Sequence, residues 1–579
     1  MDTAIVRGLL GAGLLVCAAC AAGEAPWPAD VPGFKPVAGG EHPRLFFRKT
    51  DLPALRERAK TPEGQAILKR LRLTLNGGDG ESMPKEYNPR RGKQNQDGAG
   101  PTDKAPPGMY TFSHVAGFGF LYQITGDKKY ADLGRECMEK AFQEYRDRDN
   151  RYSFKYPFGA LRAGPSLGWT AVGYDLCYDG WDEAYRRKVA QALENYNEGQ
   201  WMSLSELVNG KRQHPGSNHW GMQVGGGALA ILSIMNDPGV DMGKIKPLLE
   251  ASQQKMIVNM TQGFGDGGFF AEGDGTGSMS SHISFIPALQ AWRVAYGKDF
   301  YTPRPNAQWM TLKWIFLTVP TGDKSSLRKD FPERGAYPHN IWGRDDLSGG
   351  GYFGFGFGVA AEEQKAGMLW FYNQHLKAVD ERKNTPFDAA TCYPHHAILS
   401  FANWPFGMKE RNPGEVIPHA YRDTKWGFYA WRNRWEDEND VVVSILTRAS
   451  RGNMGAAGEK TLTVRAGRTQ KWGAINGFTG DFNPAPDGST ILTTGDGSCL
   501  AIDFSGASGL DAMLVMIGPG APSTGVVEAG AKKFSFLFLG AKAPTPQVQG
   551  DKVVIGKQTV GLANDKIVLG VFGGAKGAK

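Results

Sequence analysis

The chain has 579 residues, with 66 Lys or Arg against 59 Asp or Glu, a formal net charge of +7, 22% charged and 41% hydrophobic residues. That length exceeds one ordinary core, so two domains are expected, and the composition is globular, not disordered. The mild positive charge suits an acidic substrate without requiring one, and no clustered Lys/Arg tract argues for a nucleic-acid partner.

Taken in chain order, residues 1–22 read as a signal peptide. Arg7 supplies the positive start, and "GLLGAGLLVCAACAA", Gly8 to Ala22, is apolar, small and too short to cross a bilayer. The expected location is therefore periplasmic or secreted, with lipid anchoring at Cys20 as the alternative. No later stretch reads as a membrane span. Cys137, Cys177, Cys392 and Cys499 are widely scattered, which is no disulfide framework for a chain of this size.

Residues 23–385 carry helical periodicity. Leu52, Leu55, Ile67, Leu68 and Leu71 recur on common faces, with Asp51 as N-cap, and "SLGWTAVGYDLCYDGWDEAYRRKVAQALENY" reads as two helices broken at Asp179-Gly180. Some of these segments are apolar nearly all round and others amphipathic, as an inner and an outer ring of helices would be. Over 386–572 the period falls to two, in short β-branched and aromatic runs such as "DVVVSILTRAS" and "KKFSFLFLG". The expected architecture is an α+β multidomain chain: an N-terminal helical toroid, then a C-terminal antiparallel β-sandwich, with 573–579 as a disordered tail.

Two Gly-rich stretches stand out in the helical half. "RQHPGSNHWGMQVGGGALAIL", Arg212 to Leu232, places Ser217 or Asn218 as N-cap of an apolar helix, with His219 beside it. "GFGDGGFFAEGDGTGSMSSH", Gly263 to His282, gathers Asp266, Glu272, Asp274 and His282 in one loop. Polar residues on loops held by a scaffold are functional candidates, although the acids and Ser278, Ser280 or Ser281 equally suit the capping of the next helix.

"HPRLFFRKTDLPALRERAKT", "GWTAVGYDLCYDGWDEAYRRKVAQAL", the Asn218-His219 pair and the Asp266–Gly273 stretch together resemble the heparinase II/III-like polysaccharide lyases. The resemblance covers most of the chain beyond the signal peptide. It implies an incomplete (α/α) toroid with a C-terminal β-sandwich, and cleavage of a 4-linked uronic acid by β-elimination. That chemistry needs the substrate carboxylate neutralised, a base for the proton beside it and an acid for the departing oxygen. The resemblance assigns Asn218 to the carboxylate and His219 as base or charge neutraliser. Arg162 and Arg212 are further candidates for an acidic substrate, since a guanidinium forks onto a carboxylate.

The family's Tyr after the Glu-Gly is missing. Glu272-Gly273 is followed by "DGTGSMSSH", which leaves His282 as the nearest titratable group. The family's β-domain His-x-His is also missing from "RASRGNMGAAGEKTLTV", so neither a metal site nor a cofactor is expected, with a structural divalent cation left open. The remaining catalytic His is assigned to His339. Tyr337 and Tyr110 are alternative acids, and with Trp220 and Asp274 they complete the substrate-binding candidates. His395 and His396 are read as structural, and His42, His375 and His419 as structural or surface. The expected partner is an acidic polysaccharide or oligosaccharide. Two other readings stay open: a glycoside hydrolase using Glu272 with Asp274 or Asp266, and a non-catalytic glycan-binding protein. Oligomeric state is not legible.

Overall fold

The computed structural model describes residues 27–86, 108–143, 145–272, 283–304, 306–320, 327–329, 356–377 and 393–447, then 461–466, 469–475, 483–484, 489–494, 498–505, 510, 512–517, 524–540 and 543–561. Its first part is helical: α1 (Leu52–Arg58), α2 (Pro62–Asn76), α3 (His114–Thr125), α4 (Lys128–Phe142), α5 (Ala160–Cys177), α6 (Glu183–Glu194), α7 (Leu204–Val208), α8 (Asn218–Ile234), α9 (Met242–Val258), α10 (Phe285–Ala291), α11 (Asn306–Leu317), α12 (Glu362–Phe371), α13 (Pro394–Asn403) and α14 (Pro413–Val416). Helix starts are encoded locally. The side chains of Thr61, Asp127, Asp182, Ser203, Ser217 and Asp241 each accept a backbone N–H of the first turn that the helix itself cannot satisfy. Asp51 does stand at the N-cap of α1, but its carboxylate accepts the Arg48 N–H (2.8 Å) of the preceding turn.

Helices α3, α5 and α8 are buried along nearly their whole length, whereas α4 and α6 bury one face only. The buried helices pack in sequence, α3 on α5 and α5 on α8, and α8 also meets α7, α9 and α10. The run Gly225-Gly226-Gly227 explains how one helix serves so many neighbours. A Cβ at Gly226 would lie 2.0 Å from the Gly164 carbonyl oxygen of α5, one at Gly227 2.9 Å from the Val208 nitrogen of α7, and one at Gly225 2.6 Å from the Ser284 carbonyl carbon ahead of α10. Each glycine costs helix propensity, on the order of 1 kcal/mol against Ala. Each also opens a different side of α8 to another backbone. The contacts of Gly164 with Met222 and of Gly168 with Gly226 and Leu229 show that α5 and α8 run in the same direction.

The start of the chain is held by buried charge. His42 lies between two carboxylates, Nδ1 to Asp175 Oδ1 at 2.7 Å and Nε2 to Asp237 Oδ2 at 2.9 Å. Arg44 pairs with Asp237, and the Tyr174 hydroxyl donates to the same carboxylate (2.8 Å). With an Asp carboxylate at each ring nitrogen, His42 fastens the first segment to α5 and to the end of α8.

The strands follow. β5 (Ala420–Asp423), β6 (Phe428–Arg432), β7 (Val441–Leu446), β8 (Thr461–Ala466) and β9 (Thr469–Ile475) form an antiparallel meander. A six-stranded antiparallel sheet joins β10 (Asn483–Pro484), β11 (Thr490–Thr493), β12 (Cys499–Asp503), β13 (Ala512–Ile517), β14 (Gly525–Ala529) and β15 (Lys532–Gly540) in the order β10-β11-β12-β13-β15-β14. β16 (Gln547–Gln549), β17 (Lys552–Ile555) and β18 (Gln558–Gly561) form a third sheet.

Alternation along each strand shows how the layers stack. In β6, Phe428 and Ala430 join the helical core, while Tyr429 and Trp431 pack with Leu492, Ala501, Met513 and Val515 of the six-stranded sheet. In β12, Cys499 and Ala501 face that same core, while Leu500 and Ile502 face Val553, Ile555 and Val560 of the third sheet. Strands buried on both faces are apolar along their length, and the charged residues of β6 and β12, Arg432 and Asp503, stand at their ends.

The domain boundary expected at 385 falls outside the described residues. Helices α13 and α14 lie beyond it, and α13 packs on α2 and α3, so the helical part extends to Val416 and the larger sheets begin at Ala420. "CYPHHAILSF" is short, β-branched at one position only and flanked by turn residues, so its helical period is easily missed. Cys137, Cys177 and Cys499 are buried free thiols. Among the described residues no helix is long and apolar enough to cross a membrane.

Gly226→Ala should drive a methyl group into the Gly164 carbonyl and lower stability by about 1–3 kcal/mol, since such overpacking of a filled core cannot relax freely. Thermal denaturation of the variant checks this, and an unchanged Tm would show that the two helices part without cost.

Candidate functional site

Because α5 and α8 are parallel and in contact, their N-termini open at the same end. Ser217 caps α8, its Oγ accepting the His219 N–H at 3.3 Å. Asn218, the first helical residue, is buried, and its backbone N–H donates to Glu272 Oε2 at 3.1 Å. One of the unsatisfied donors at this helix end is thus met by a carboxylate from the second Gly-rich stretch, where the helix dipole favours negative charge. Arg162 lies in the first turn of α5. Its positive charge acts on both His219 and Tyr152. The structure therefore brings together Arg162, Asn218, His219 and Glu272.

The electrostatics of this group are set by burial. His219 is half-buried, and desolvation first, then the charge of Arg162, lower its pKa from the ordinary value, so the ring is neutral near pH 7. Glu272 is 9% exposed, and burial raises its carboxyl above the usual range against the opposing Asn218 N–H and His214. Tyr152 is pushed up to about 12 by burial, with Arg162 pulling the other way. Tyr152 stacks on Phe112 (5.0 Å), which stacks on His395 (5.4 Å), which lies against Trp169 (4.8 Å). Nothing in "NRYSFKYPFG" singles out Tyr152, because its neighbour Arg162 arrives only once the loop folds back against α5.

Other expected residues sit elsewhere. Tyr110 is 3% exposed, stacked on His114 (5.5 Å) with its edge to Tyr145 (4.8 Å), within the helical core. Trp220 is 5% exposed, its indole N–H directed to the Lys255 carbonyl (3.4 Å), and it packs under the loop that carries Gly210. Both were expected at the glycan surface. Each adjoins polar sequence yet points the other way, since neighbours on a helix or turn face different sides. Arg212 is exposed and lies over the Trp201 ring, 5.5 Å from its centroid. Asp274, His282, Tyr337 and His339 lie outside the described residues. His395 is buried and bonded to Ser113 Oγ (3.1 Å), and His396 is buried beside it. Among the described residues no group of three His, Cys, Asp or Glu side chains is placed to hold a metal ion.

The rest of the second Gly-rich stretch is a joint. Asp266 accepts the Thr424 N–H (2.7 Å) and hydroxyl (2.8 Å). Asp423, at the end of β5, accepts the N–H groups of Gly267 (3.0 Å), Phe269 (2.9 Å) and Trp426 (2.8 Å). The Tyr421 hydroxyl donates to the Gly267 carbonyl (2.5 Å). Side chains at Gly265 and Gly267 would collide with Asp423 and the Arg422 carbonyl, and Gly268 adopts φ +75°, so the "GDGG" glycines are required by close approach and backbone conformation. Asp266 thereby fastens the sheet to the helices.

No protein-family model matches the sequence, and no curated protein matches it. Among solved structures, the chain is similar to heparinase III, at 8% identity over 89% of this chain and 95% of that one, with a TM-score of 0.37. It is also similar to a mutant of the heparan sulfate lyase HepC from Pedobacter heparinus, at 10% identity over 89% and 94%, with a TM-score of 0.39. A second structure of HepC aligns at 13% identity over 70% and 60%, with a TM-score of 0.37. At these values the likeness adds nothing to the assignment of individual residues, which rests on the geometry above.

Arg162→Ala should raise the His219 pKa toward its ordinary value, by removing the nearby positive charge while leaving the burial. Titration of the ring proton by NMR measures it, and an unmoved pKa would show that burial alone sets the value. Asp423 is pushed up to about 7 by burial. A carboxyl with a folded pKa above its unfolded value near 4 favours the fold at low pH, and that contribution is lost as pH rises from about 4 through about 7. Asp423→Asn should therefore flatten the fall in Tm over that window. An unaltered pH profile would place the Asp423 pKa near the unfolded value.

Proposed function

We propose that this chain is an exported polysaccharide lyase that cleaves a uronic-acid-containing glycan by β-elimination, on an incomplete (α/α) toroid backed by a β-sandwich. The observation that carries the reading is the grouping of Arg162, Asn218 and His219 at the adjoining N-termini of two parallel buried helices. Two of these residues suit an anionic group, and the third is a base kept neutral at working pH.

In this reading the uronate carboxylate lies against Asn218 and the Arg162 guanidinium, in the positive end of the α8 dipole. Neutralising that carboxylate lowers the cost of charge developing on it as the adjacent C5–H bond breaks. His219 takes the C5 proton. The electron pair forms the C4–C5 double bond, and the C4–O4 bond breaks. Tyr152 is assigned the acid: its pKa of about 12 keeps it protonated at neutral pH, and Arg162 steadies the phenolate left after it gives its proton to O4. The imidazolium and phenolate return to their starting states through solvent. His282 is the alternative acid. Glu272 holds the start of α8 in place through Asn218. Its raised carboxyl also suits a general acid, which keeps the hydrolase reading as the second one.

Incubation with uronate polysaccharides, following ultraviolet absorbance and reducing ends together, separates the readings. A lyase raises both, because elimination leaves a conjugated unsaturated uronate, whereas a hydrolase raises reducing ends alone. His219→Ala should cut lyase turnover by at least about 100-fold with the Tm retained. Undiminished turnover in that variant would sink the assignment.

A further inference from the structure

We propose that the 197–212 segment is an outlying glycan subsite, in which the Trp201 ring stacks on a sugar and the Arg212 guanidinium binds an anionic group, carboxylate or sulfate, on that sugar or its neighbour. The inference rests on the reading of the chain as acting on an acidic glycan, and it extends the site beyond the sugars that react.

Trp201 is 50% exposed, more than any other large hydrophobic residue among those described. Leaving an indole in water forfeits stabilisation that burial would give, yet this ring is not loose. The Arg212 guanidinium lies 5.5 Å from its centroid and 3.8 Å from Glu206 Oε1. Glu206 Oε2 in turn accepts the Met202 N–H at 2.7 Å, so one carboxylate links the turn after Trp201 to the cation over the ring. Gly210 packs onto the ring of Trp220, which anchors the segment to α8 beside His219.

The backbone points the same way. Of the four non-glycine residues with positive φ among those described, three lie here: Asn197 at 47°, Met202 at 66° and Arg212 at 64°. Each such residue costs on the order of 1 kcal/mol or more, and strain of this kind persists where the surroundings enforce it, commonly at ligand clamps. Arg212 stands six residues before Asn218, so it lies no further than about 20 Å from the start of α8, a few sugar residues away.

The chemistry selects the ligand. An indole face suits the C–H face of a pyranose. A guanidinium has five N–H donors, and the Glu206 contact leaves most of them for a carboxylate or sulfate. A neutral glycan would use the ring alone.

The test uses the full-length protein with size-fractionated heparan sulfate, alginate, polygalacturonate and hyaluronan, with binding measured by calorimetry apart from turnover. For the glycan that wild type binds, Trp201→Ala and Arg212→Ala should each weaken affinity for dodecasaccharides by about five- to tenfold, with tetrasaccharides changed less than about twofold. Arg212→Gly relieves the positive φ, so it should leave Tm unlowered while weakening binding as Arg212→Ala does. That pairing would not arise from a purely structural role. Tyr296→Ala, at another exposed ring, should alter neither. Unchanged dodecasaccharide affinity in both Trp201→Ala and Arg212→Gly would overturn the subsite, as would an equal loss on short and long chains. Wild type that binds without cutting, with the length-dependent losses intact, would overturn the lyase reading and uphold the subsite.

Discussion

The contact between Gly164 and Gly226 is the constraint on which the candidate site depends. Two helices touching backbone to backbone in the same direction must end side by side, and their unsatisfied N–H groups then open on one region. That region gathers positive potential from both helix ends and from Arg162, and Glu272 answers one helix end from the neighbouring loop. A histidine placed there and partly shielded from water stays neutral, while an anion is welcome beside it. The acid–base character of His219 is therefore a consequence of helix packing, set some two turns away by residues without side chains.

The sheets are fastened to this end of the helices by a short interface of high polarity. Asp423 collects three backbone N–H groups, Asp266 answers from the opposite side, and Tyr421 closes the contact on Gly267. The loop that carries Glu272 begins at this joint. Strand β6 makes the connection apolar as well, since Phe428 and Ala430 enter the helical core while Tyr429 and Trp431 enter the next layer. Position of the sheets and position of Glu272 are thus coupled through five residues of loop.

Parts of the site were legible from local chemistry. Ser217 before Asn218-His219, and a Gly-rich run after, announce a capped helix in tight quarters, and the structure has both. Asp266 looked like a candidate acid because a carboxylate in a Gly-rich loop fits a site and a joint equally well. Its partners on Thr424 lie more than 150 residues away and carry no local signal. The burial of Tyr110 and Trp220 is hidden for a related reason: sequence shows that an aromatic stands beside polar residues but not which side of the backbone it leaves from. Tyr152 carries no local signal because what marks it is the charge of Arg162, which acts on it only in the folded chain.

The sequence by itself determined the order of helices and then strands, the caps that start them, the three glycines that let α8 be surrounded, and the alternation that buries β6 and β12 on both faces. These follow from dihedral freedom, hydrogen-bond demand and side-chain period, which act within a few residues. Only the tertiary structure decided that the helices run on to Val416, that His42 is buried between Asp175 and Asp237, that Asp266 serves the joint, and that the charge of Arg162 acts on both His219 and Tyr152. Those outcomes depend on burial and on charge at a distance, and both are properties of the packed chain.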